Sequence, residues 1–213
     1  MQKTERIWLD GALVPWEAAQ VHVLTHSLHY GLGVFEGIRC YACTDGRSAI
    51  FRLREHIDRL YGSAHILDLP MPFPREQLME ACVETVRANH LRECYIRPIV
   101  FMGDGEMGLA ARPASRVAIA AWPWGAYLGD EGIRHGIRVK TSSFQRFHPN
   151  TLLTKAKATG HYVNSILASR EARLTYSDTT GSMGRVDDEK GRKASLVVGT
   201  DRVDGQFVIG TYG

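Results

Sequence analysis

Two Asp-Gly dipeptides near the start of this 213-residue chain constrain its fold more than any other local feature. They are Asp10–Gly11 and Asp45–Gly46, and each stands between two runs rich in apolar residues. These runs are 6–9, 12–14, 34–41 and 48–53. Asp-Gly suits the central positions of a tight turn between antiparallel strands, because those positions need positive φ. The sequence therefore predicts two β-hairpins.

Helical spacing of apolar residues follows the second hairpin. Residues 55–67 and the segment opened by Pro74 carry their apolar side chains three or four positions apart, and Arg59 lies off this stripe. The spaced residues are Ile57, Leu60, Ala64 and Leu67 in the first segment and Leu78, Cys82 and Val86 in the second. Two helices are predicted here.

The rest of the chain predicts a second domain. Further strands are expected at 95–102, 116–124 and 137–144, and a helix at 158–173 with Val163, Ile166 and Leu167 facing inward. Residues 125–136 are glycine-rich and lack periodicity, which is typical of a connector. The prediction is a two-domain α/β (α+β) protein with domains at 1–125 and 137–213 and a connector at 126–136.

Composition excludes several classes of function. The chain is 44% hydrophobic and 23% charged, as in ordinary globular proteins, and it has no apolar run long enough to span a bilayer. Its start resembles a strand and not a secretory signal, and four cysteines without a disulfide framework favour the cytoplasm. A net charge of +3 without a basic, aromatic-rich stripe argues against nucleic acid as a partner.

The stretch Asn150–Tyr162 (NTLLTKAKATGHY) indicates amine chemistry. It places Lys157 just before an expected helix start, five residues before Tyr162. An amine that forms a Schiff base must lose its proton, and burial lowers the pKa of a lysine. On spacing alone, Lys157 could equally be a solvated lysine like its neighbour Lys155.

Several motifs then resemble those of one enzyme family. These are His29–Arg39 (HYGLGVFEGIR), Phe51–Leu60 (FRLREHIDRL), Tyr95–Pro98 (YIRP), Trp122–Gly129 (WPWGAYLG) and the Lys157 stretch. In this order they resemble the branched-chain amino acid aminotransferases, enzymes of fold-type IV that use pyridoxal 5'-phosphate. The resemblance extends from about Ile7 to Arg173, and the WPWGAY run favours this branch over D-amino acid aminotransferases and aminodeoxychorismate lyases.

The resemblance implies roles for individual residues around the cofactor. Lys157 matches the lysine that forms the Schiff base and later moves the substrate proton. Arg59 matches the arginine that binds the cofactor phosphate, a task that suits its planar fork. Tyr162 matches a tyrosine that hydrogen-bonds the ring oxygen. By position alone, Arg59 could be a surface arginine and Tyr162 a core aromatic.

The resemblance also implies a substrate pocket. Tyr30, Phe35, Trp124 and Tyr127 match the residues that line a pocket for Leu, Ile or Val, and aromatic rings suit such side chains. Tyr95 and Arg97 match groups near the substrate carboxylates, where an arginine would admit glutamate or 2-oxoglutarate. The segment Gly103–Gly108 (GDGEMG) matches a loop that reaches a neighbouring subunit, which implies a homodimer or a larger assembly.

The chain departs from the family pattern after Arg173. Relatives place a glutamate under the pyridine nitrogen of the cofactor, and Asp188 or the adjacent Glu189 stands at the corresponding point of Gly184–Lys193. The neighbours of that glutamate and the later family loops are not recognisable. The expectation is therefore a cofactor-binding second domain that is incomplete or atypical beyond about residue 173.

Three alternatives stay open at this point. The chain could be a D-amino acid aminotransferase or an aminodeoxychorismate lyase of the same class. It could also be a non-catalytic remnant that acts as a binding module. The Cys40–Cys43 pair (CYAC) raises a zinc or redox role, but residues three apart on a strand face opposite sides.

Overall fold

The computed structural model describes residues 2–124 and 140–177, together with short strand segments at 197–198, 202–203 and 206–207. The chain divides into two compact units. The first is Met1–Trp124 with Leu153–Gly160, and the second is Gly125–Leu152 with His161–Gly213. The segment that carries Lys157 therefore belongs to the same unit as the N-terminal hairpins.

An antiparallel sheet of seven strands forms the body of the first unit. The strands are β1 (Arg6–Leu9), β2 (Ala12–Pro15), β3 (Gly33–Phe35), β4 (Ile38–Ala42), β5 (Ser48–Ile50), β6 (Cys94–Met102) and β7 (Ser115–Trp122). Their order is β2-β1-β7-β6-β4-β5, and β3 also pairs with β6. The helices are α1 (His26–Tyr30), α2 (Leu53–Ile66) and α3 (Arg75–Ala88), with a 3-10 turn at Trp16–Ala18. Both predicted hairpins are confirmed as β1–β2 and β4–β5.

Helices α2 and α3 cover one face of this sheet, as their apolar spacing predicts. Ile57, Leu60 and Leu78 are fully buried and join one hydrophobic core with Ile96 and Ile119 of the sheet. Because side chains alternate along a strand, the residues between these core positions point to the other face. That face carries Tyr95, Arg97 and Trp122, and it positions the candidate site.

The predicted strand 34–41 is interrupted at Glu36 and Gly37. Phe35 pairs with Ile99 and Ile38 with Ile96, so both halves keep one register against β6. Glu36 therefore lies opposite Pro98, whose carbonyl accepts the Glu36 N–H at 2.9 Å. Pro98 has no N–H to return the second hydrogen bond, which breaks the ladder at this point.

The expected helix start beside Lys157 is wrong. Helix α4 (Tyr162–Ser177) begins four residues later than predicted, because residues 157–160 pair with the β3 region instead. The N–H groups of Thr159 and Gly160 donate to the carbonyls of Gly33 and Gly31 at 2.8 and 3.2 Å. This pairing is long-range in sequence, and local spacing does not reveal it.

The predicted inward face of this helix is also wrong. Val163, Ile166 and Leu167 are 58%, 48% and 38% exposed. The described contacts of α4 with residues 142–145 of the same unit are made by the polar side chains of Asn164 and Glu171, which lie seven residues apart on one face of the helix.

The second unit is described only in part. Its remaining strands are β8 (Lys140–Thr141), β9 (Val197–Val198), β10 (Arg202–Val203) and β11 (Gln206–Phe207), with β8 parallel to β9 and β10 antiparallel to β11. Of the predicted strand 137–144, residues 137–139 lie outside the described residues, Lys140–Thr141 is a strand, and the strand ends there because Ser142 and Ser143 bond to Glu171. The expected connector 126–136 lies outside the described residues. None of the helices described here is long and apolar enough to cross a membrane.

Candidate functional site

The main chain of Lys157 is held on two sides within the first unit. Its carbonyl accepts the Phe35 N–H at 3.1 Å, and its own N–H donates to Ser63 Oγ of α2 at 3.0 Å. The next residue, Ala158, forms a β-bridge with Val34. Strand β3 and helix α2 together therefore fix the position of the Lys157 main chain, from which the side chain extends.

The amine of Lys157 lies among apolar and charged groups. Its Nζ is 5.0 Å from the centre of the Phe35 ring, and the residue is half-buried. Burial lowers the pKa of this amine, and the positive charges of Arg59 and Arg97 lower it further. Glu36 and Tyr95 act in the opposite direction without reversing the shift. More of the amine is therefore neutral, and so nucleophilic, than in an exposed lysine.

Arg59 is held by a buried carboxylate. Its Nε and Nη2 donate to Glu36 Oε1 and Oε2 at 2.6 and 2.8 Å, and His56 Nδ1 lies 2.8 Å from Oε2. Burial raises the pKa of the Glu36 carboxyl, but hydrogen bonds from Arg59 and His56 outweigh it and leave this pKa below its usual value. Glu36 is therefore a stable anion at neutral pH, although it is fully buried.

Arg97 lies in an aromatic group on the face of the sheet opposite α2 and α3. Its guanidinium carbon is 4.5 Å from the Phe35 ring centre and 5.1 Å from that of Tyr95. Its Nη2 donates to the Tyr95 hydroxyl at 2.9 Å, while its buried Nε has no hydrogen-bond partner among the described residues. The rings of Trp122 and Trp124 pack on Tyr95 at 5.1 and 4.8 Å. A buried N–H donor can bind a carboxylate, and the aromatic rings beside it can contact the apolar part of the same ligand.

Gly37 makes the position of Tyr95 possible. A Cβ at residue 37 would lie 2.0 Å from the Tyr95 hydroxyl oxygen and 2.9 Å from its ring carbon Cζ. The hydroxyl thus occupies the space that any other side chain at position 37 would need. The break between β3 and β4 and the position of the Tyr95 ring therefore both depend on the close approach of Gly37 to Tyr95.

The structure brings together six of the eleven residues predicted for the site. Direct contacts or charge interactions join Arg59, Phe35, Tyr95, Arg97, Trp124 and Lys157, all in the first unit. Tyr30 has different neighbours, because its ring contacts His26 and His29 on α1.

Of the other predicted site residues, one belongs to the second unit and three lie outside the described residues. Tyr162 is the first residue of α4, half-buried, in the second unit. Tyr127, Asp188 and Glu189 lie outside the described residues.

Sequence reasoning missed three residues that hold this group: Glu36, His56 and Ser63. A signal for Glu36 is visible in the sequence, because it is an acid within an apolar run, VFEGI. A buried acid needs a cationic partner, and Arg59 and His56 are three residues apart on one face of a predicted helix. Ser63 had no such signal, since its bond to Lys157 joins residues 94 positions apart.

Cys40 and Cys43 do not form a pair. Cys40 is buried on β4 opposite Cys94 of β6, whereas Cys43 begins the following turn. Burial raises the pKa of the Cys40 thiol and raises that of Cys94 to about 12. Such thiols are poor nucleophiles and poor metal ligands at neutral pH.

Comparison with known proteins identifies the family to which the residues around Lys157 and Arg59 belong. The family described as amino-transferase class IV matches residues 33–180 of the chain. The branched-chain-amino-acid aminotransferase of Pseudomonas aeruginosa is 53% identical over 167 residues, which are 78% of this chain and 54% of that protein. The protein of the same name from Escherichia coli K12 is 49% identical over 174 residues, covering 81% of this chain and 56% of the relative.

Solved structures agree in fold. The crystal structure of Escherichia coli branched-chain amino acid aminotransferase matches with a TM-score of 0.78 and 48% identity, over 81% of this chain and 57% of that one. The T.th. branched-chain amino acid aminotransferase with pyridoxamine 5'-phosphate matches with a TM-score of 0.77 and 48% identity, over 82% and 58%. The fold is thus that of a fold-type IV aminotransferase, and the chain spans little more than half the length of these relatives.

Proposed function

This chain belongs to the class IV aminotransferase family, and we propose that it transfers amino groups between Leu, Ile or Val and 2-oxoglutarate with pyridoxal 5'-phosphate. The observation that carries this proposal is the half-buried amine of Lys157, whose pKa is lowered beside Arg59 and Arg97. The names of the Pseudomonas aeruginosa and Escherichia coli relatives support the reaction and its substrates. The pyridoxamine 5'-phosphate in the T.th. structure supports the cofactor.

The donor set fits such a cofactor. An aldehyde needs a neutral amine, which Lys157 offers, and a phosphate needs a planar fork of N–H donors, which Arg59 offers. Tyr162 is proposed for the ring oxygen, and Asp188 or Glu189 for the ring nitrogen. When bound, pyridoxal phosphate supplies an electron sink for the bond that breaks at the substrate α-carbon.

Lys157 is proposed to act twice. Its neutral amine would hold the cofactor through the aldehyde group, and the same amine, once released, would hold and move the proton of the substrate α-carbon. One group can do both only if its protonated and neutral forms are both accessible near neutral pH. The charges around Nζ support this, because two guanidiniums oppose protonation while Glu36 favours it.

Arg97 and the aromatic rings are proposed to select the substrate. The guanidinium of Arg97 would bind a carboxylate, using a buried Nε that has no partner in the described part of the protein. Phe35, Tyr95 and Trp124 would contact the branched side chain, with Tyr30 and Tyr127 completing the pocket. Apolar walls favour Leu, Ile and Val over charged side chains by the free energy of desolvation.

We also infer assembly with a second copy of the chain. The Gly103 carbonyl accepts the His26 N–H at 2.9 Å, and the Gly108 carbonyl lies 3.0 Å from His26 Nε2. These bonds join the Gly103–Gly108 loop to α1. Large apolar side chains are exposed on α1 and directly beside the two segments, namely Val23, Leu24, Leu28 and Leu109. Exposed apolar groups of this kind mark protein interfaces. A cytoplasmic location stays a prediction.

Turnover by the full chain tests the proposal. Purified protein loaded with pyridoxal phosphate should form glutamate from leucine and 2-oxoglutarate. Lys157→Ala should abolish this turnover, whereas Lys155→Ala, which changes an exposed lysine, should preserve it. Faster turnover of D-alanine would instead favour the D-amino acid branch. No turnover with any amino donor would favour a non-catalytic binding module.

A further inference from the structure

Glu36 is the least exposed charged group in the described part of the first unit, and its surroundings are specific. The side chain is fully buried, and both carboxylate oxygens accept hydrogen bonds from Arg59. Oε2 also contacts His56 Nδ1 at 2.8 Å and the Gly37 N–H at 3.2 Å. A buried carboxylate needs such partners, since an unpaired one would be strongly destabilising.

The partner of this buried anion is half in solvent. The Arg59 side chain is 51% exposed, so one edge of its guanidinium is anchored inside the protein while the rest extends outward. Glu36 accepts from Nε and from one N–H of Nη2. These two bonds fix the plane in which the N–H donors of the guanidinium lie.

We propose that Glu36, supported by His56, is a positioning residue that holds Arg59 so that the outer edge of its guanidinium binds a phosphate group. This inference rests on the proposed function, because the phosphate is that of pyridoxal 5'-phosphate. A free arginine side chain samples many rotamers and loses this freedom on binding an anion. Glu36 fixes the guanidinium before the ligand arrives, so less entropy is lost on binding.

Glu36 has two opposing effects on phosphate binding: its charge repels the phosphate, and its hydrogen bonds orient Arg59. The inference requires that the orientation of Arg59 has the larger effect. The negative charge of Glu36 repels a phosphate, but the positive charge of Arg59, which is more exposed than Glu36, compensates it locally. Without Glu36 the surroundings of Arg59 become more positive, but its guanidinium loses the two bonds that orient it. Only an oriented guanidinium can direct two parallel N–H groups at two phosphate oxygens, whereas an unoriented one attracts the phosphate by its charge alone.

The test compares two ligands that differ only in the phosphate. Pyridoxal 5'-phosphate and pyridoxal carry the same aldehyde and ring, so the ratio of their affinities isolates the phosphate contribution. We expect Glu36→Gln in the full chain to weaken binding of pyridoxal phosphate about tenfold, the effect of losing one charged hydrogen bond. Glu36 also acts on the amine of Lys157, but any resulting change applies to both ligands alike and cancels in the ratio of their affinities. Absorbance titration at neutral pH measures both.

Glu55→Gln is the matched control. Glu55, on α2, also binds an arginine, accepting at 2.8 Å from Arg52 just before the helix, but this pair is exposed. Its ligand ratio should equal that of the wild type. In Glu36→Gln, a ratio equal to the wild-type ratio, or equal losses for both ligands, would overturn the inference, since a merely structural residue would weaken both ligands alike.

Two further variants keep the test decisive. In an Arg59→Gln background, Glu36→Gln should cause no additional loss of phosphate preference, and an additional loss would contradict action through Arg59. If Glu36→Gln does not fold, His56→Ala decides, because it removes one partner of Glu36 and leaves the pair with Arg59. A lower phosphate preference would then support the inference, and an unchanged preference would overturn it.

Failure of the proposed function would look different. If the wild-type chain binds neither ligand covalently through Lys157, the aminotransferase proposal itself fails. If the wild type binds both ligands at Lys157 and Glu36→Gln keeps the full phosphate preference, only the positioning role of Glu36 is wrong.

Discussion

The two faces of the seven-stranded sheet serve different purposes, although the same strands build both. On β6, Ile96 is fully buried under α2 and α3, while Tyr95 and Arg97 on either side of it point to the other face. That face carries a hydroxyl, a guanidinium and indole rings in mutual contact. Neighbouring residues of one strand can therefore affect stability and chemistry separately.

A core substitution should give the largest effect on stability. Ile96→Ala removes buried methyl groups and leaves a cavity, so the free energy of unfolding should fall by about 2–5 kcal/mol. Urea denaturation measures this loss. Ile99→Ala is the matched control on the same strand, since Ile99 is half-buried and points to the other face. Equal losses for the two variants would contradict the division of the sheet into a core face and a site face.

A methyl group at residue 37 should lower both the stability of the fold and the binding of the cofactor. Gly37→Ala places its Cβ 2.0 Å from the Tyr95 hydroxyl oxygen, so the tyrosine must move. We expect a loss of about 1–3 kcal/mol in unfolding free energy, as for other overpacked sites, and weaker capture of pyridoxal phosphate. Adding Tyr95→Phe removes the clashing hydroxyl and should restore part of the stability. No recovery in the double variant would mean that another contact limits residue 37.

A substitution on the site face should change activity and not stability. Arg97→Gln removes the charged donor proposed for the substrate carboxylate, so KM for 2-oxoglutarate should rise about tenfold while unfolding is nearly unchanged. Steady-state kinetics with varied 2-oxoglutarate checks this. Arg54→Gln, at an exposed position on α2, should leave KM unaltered. A large drop in stability would mean that Arg97 supports the fold.

The smallest effect expected is a pH dependence that arises from Glu36. Its pKa is lower when folded, so its pairing with Arg59 and His56 stabilises the protein fully above about pH 4.3, the ordinary value for Glu. This contribution is lost as pH falls through the folded pKa. The difference in unfolding free energy between wild type and Glu36→Gln should therefore shrink below about pH 4. Urea titrations at neutral and acid pH test this, and a constant difference would contradict it.

Features governed by local patterns were predictable from sequence. Asp10 and Gly11 both adopt positive φ, at 47° and 104°, as the hairpin required. Ile57, Leu60 and Ala64 are fully buried, as their spacing predicted. The family resemblance named Lys157 and Arg59, and the structure brings their charges within mutual influence.

Features that depend on distant pairing were not predictable. Local spacing predicted a helix start just after Lys157, but this segment pairs with β3, more than a hundred residues earlier in the chain. The break at Glu36 depends on Pro98 in another strand. The apolar residues of α4 were predicted to face inward because their spacing defines one side of the helix. The spacing does not show which side of the helix the neighbouring elements cover.

The most direct measurement of the central claim is to locate the lysine that captures pyridoxal phosphate. The full chain is incubated with the cofactor at neutral pH, reduced with borohydride, digested and analysed by mass spectrometry. The lowered pKa of Lys157 predicts label on that residue in preference to the exposed Lys3 and Lys155. Label spread evenly over these lysines, or absent from Lys157, would contradict the account.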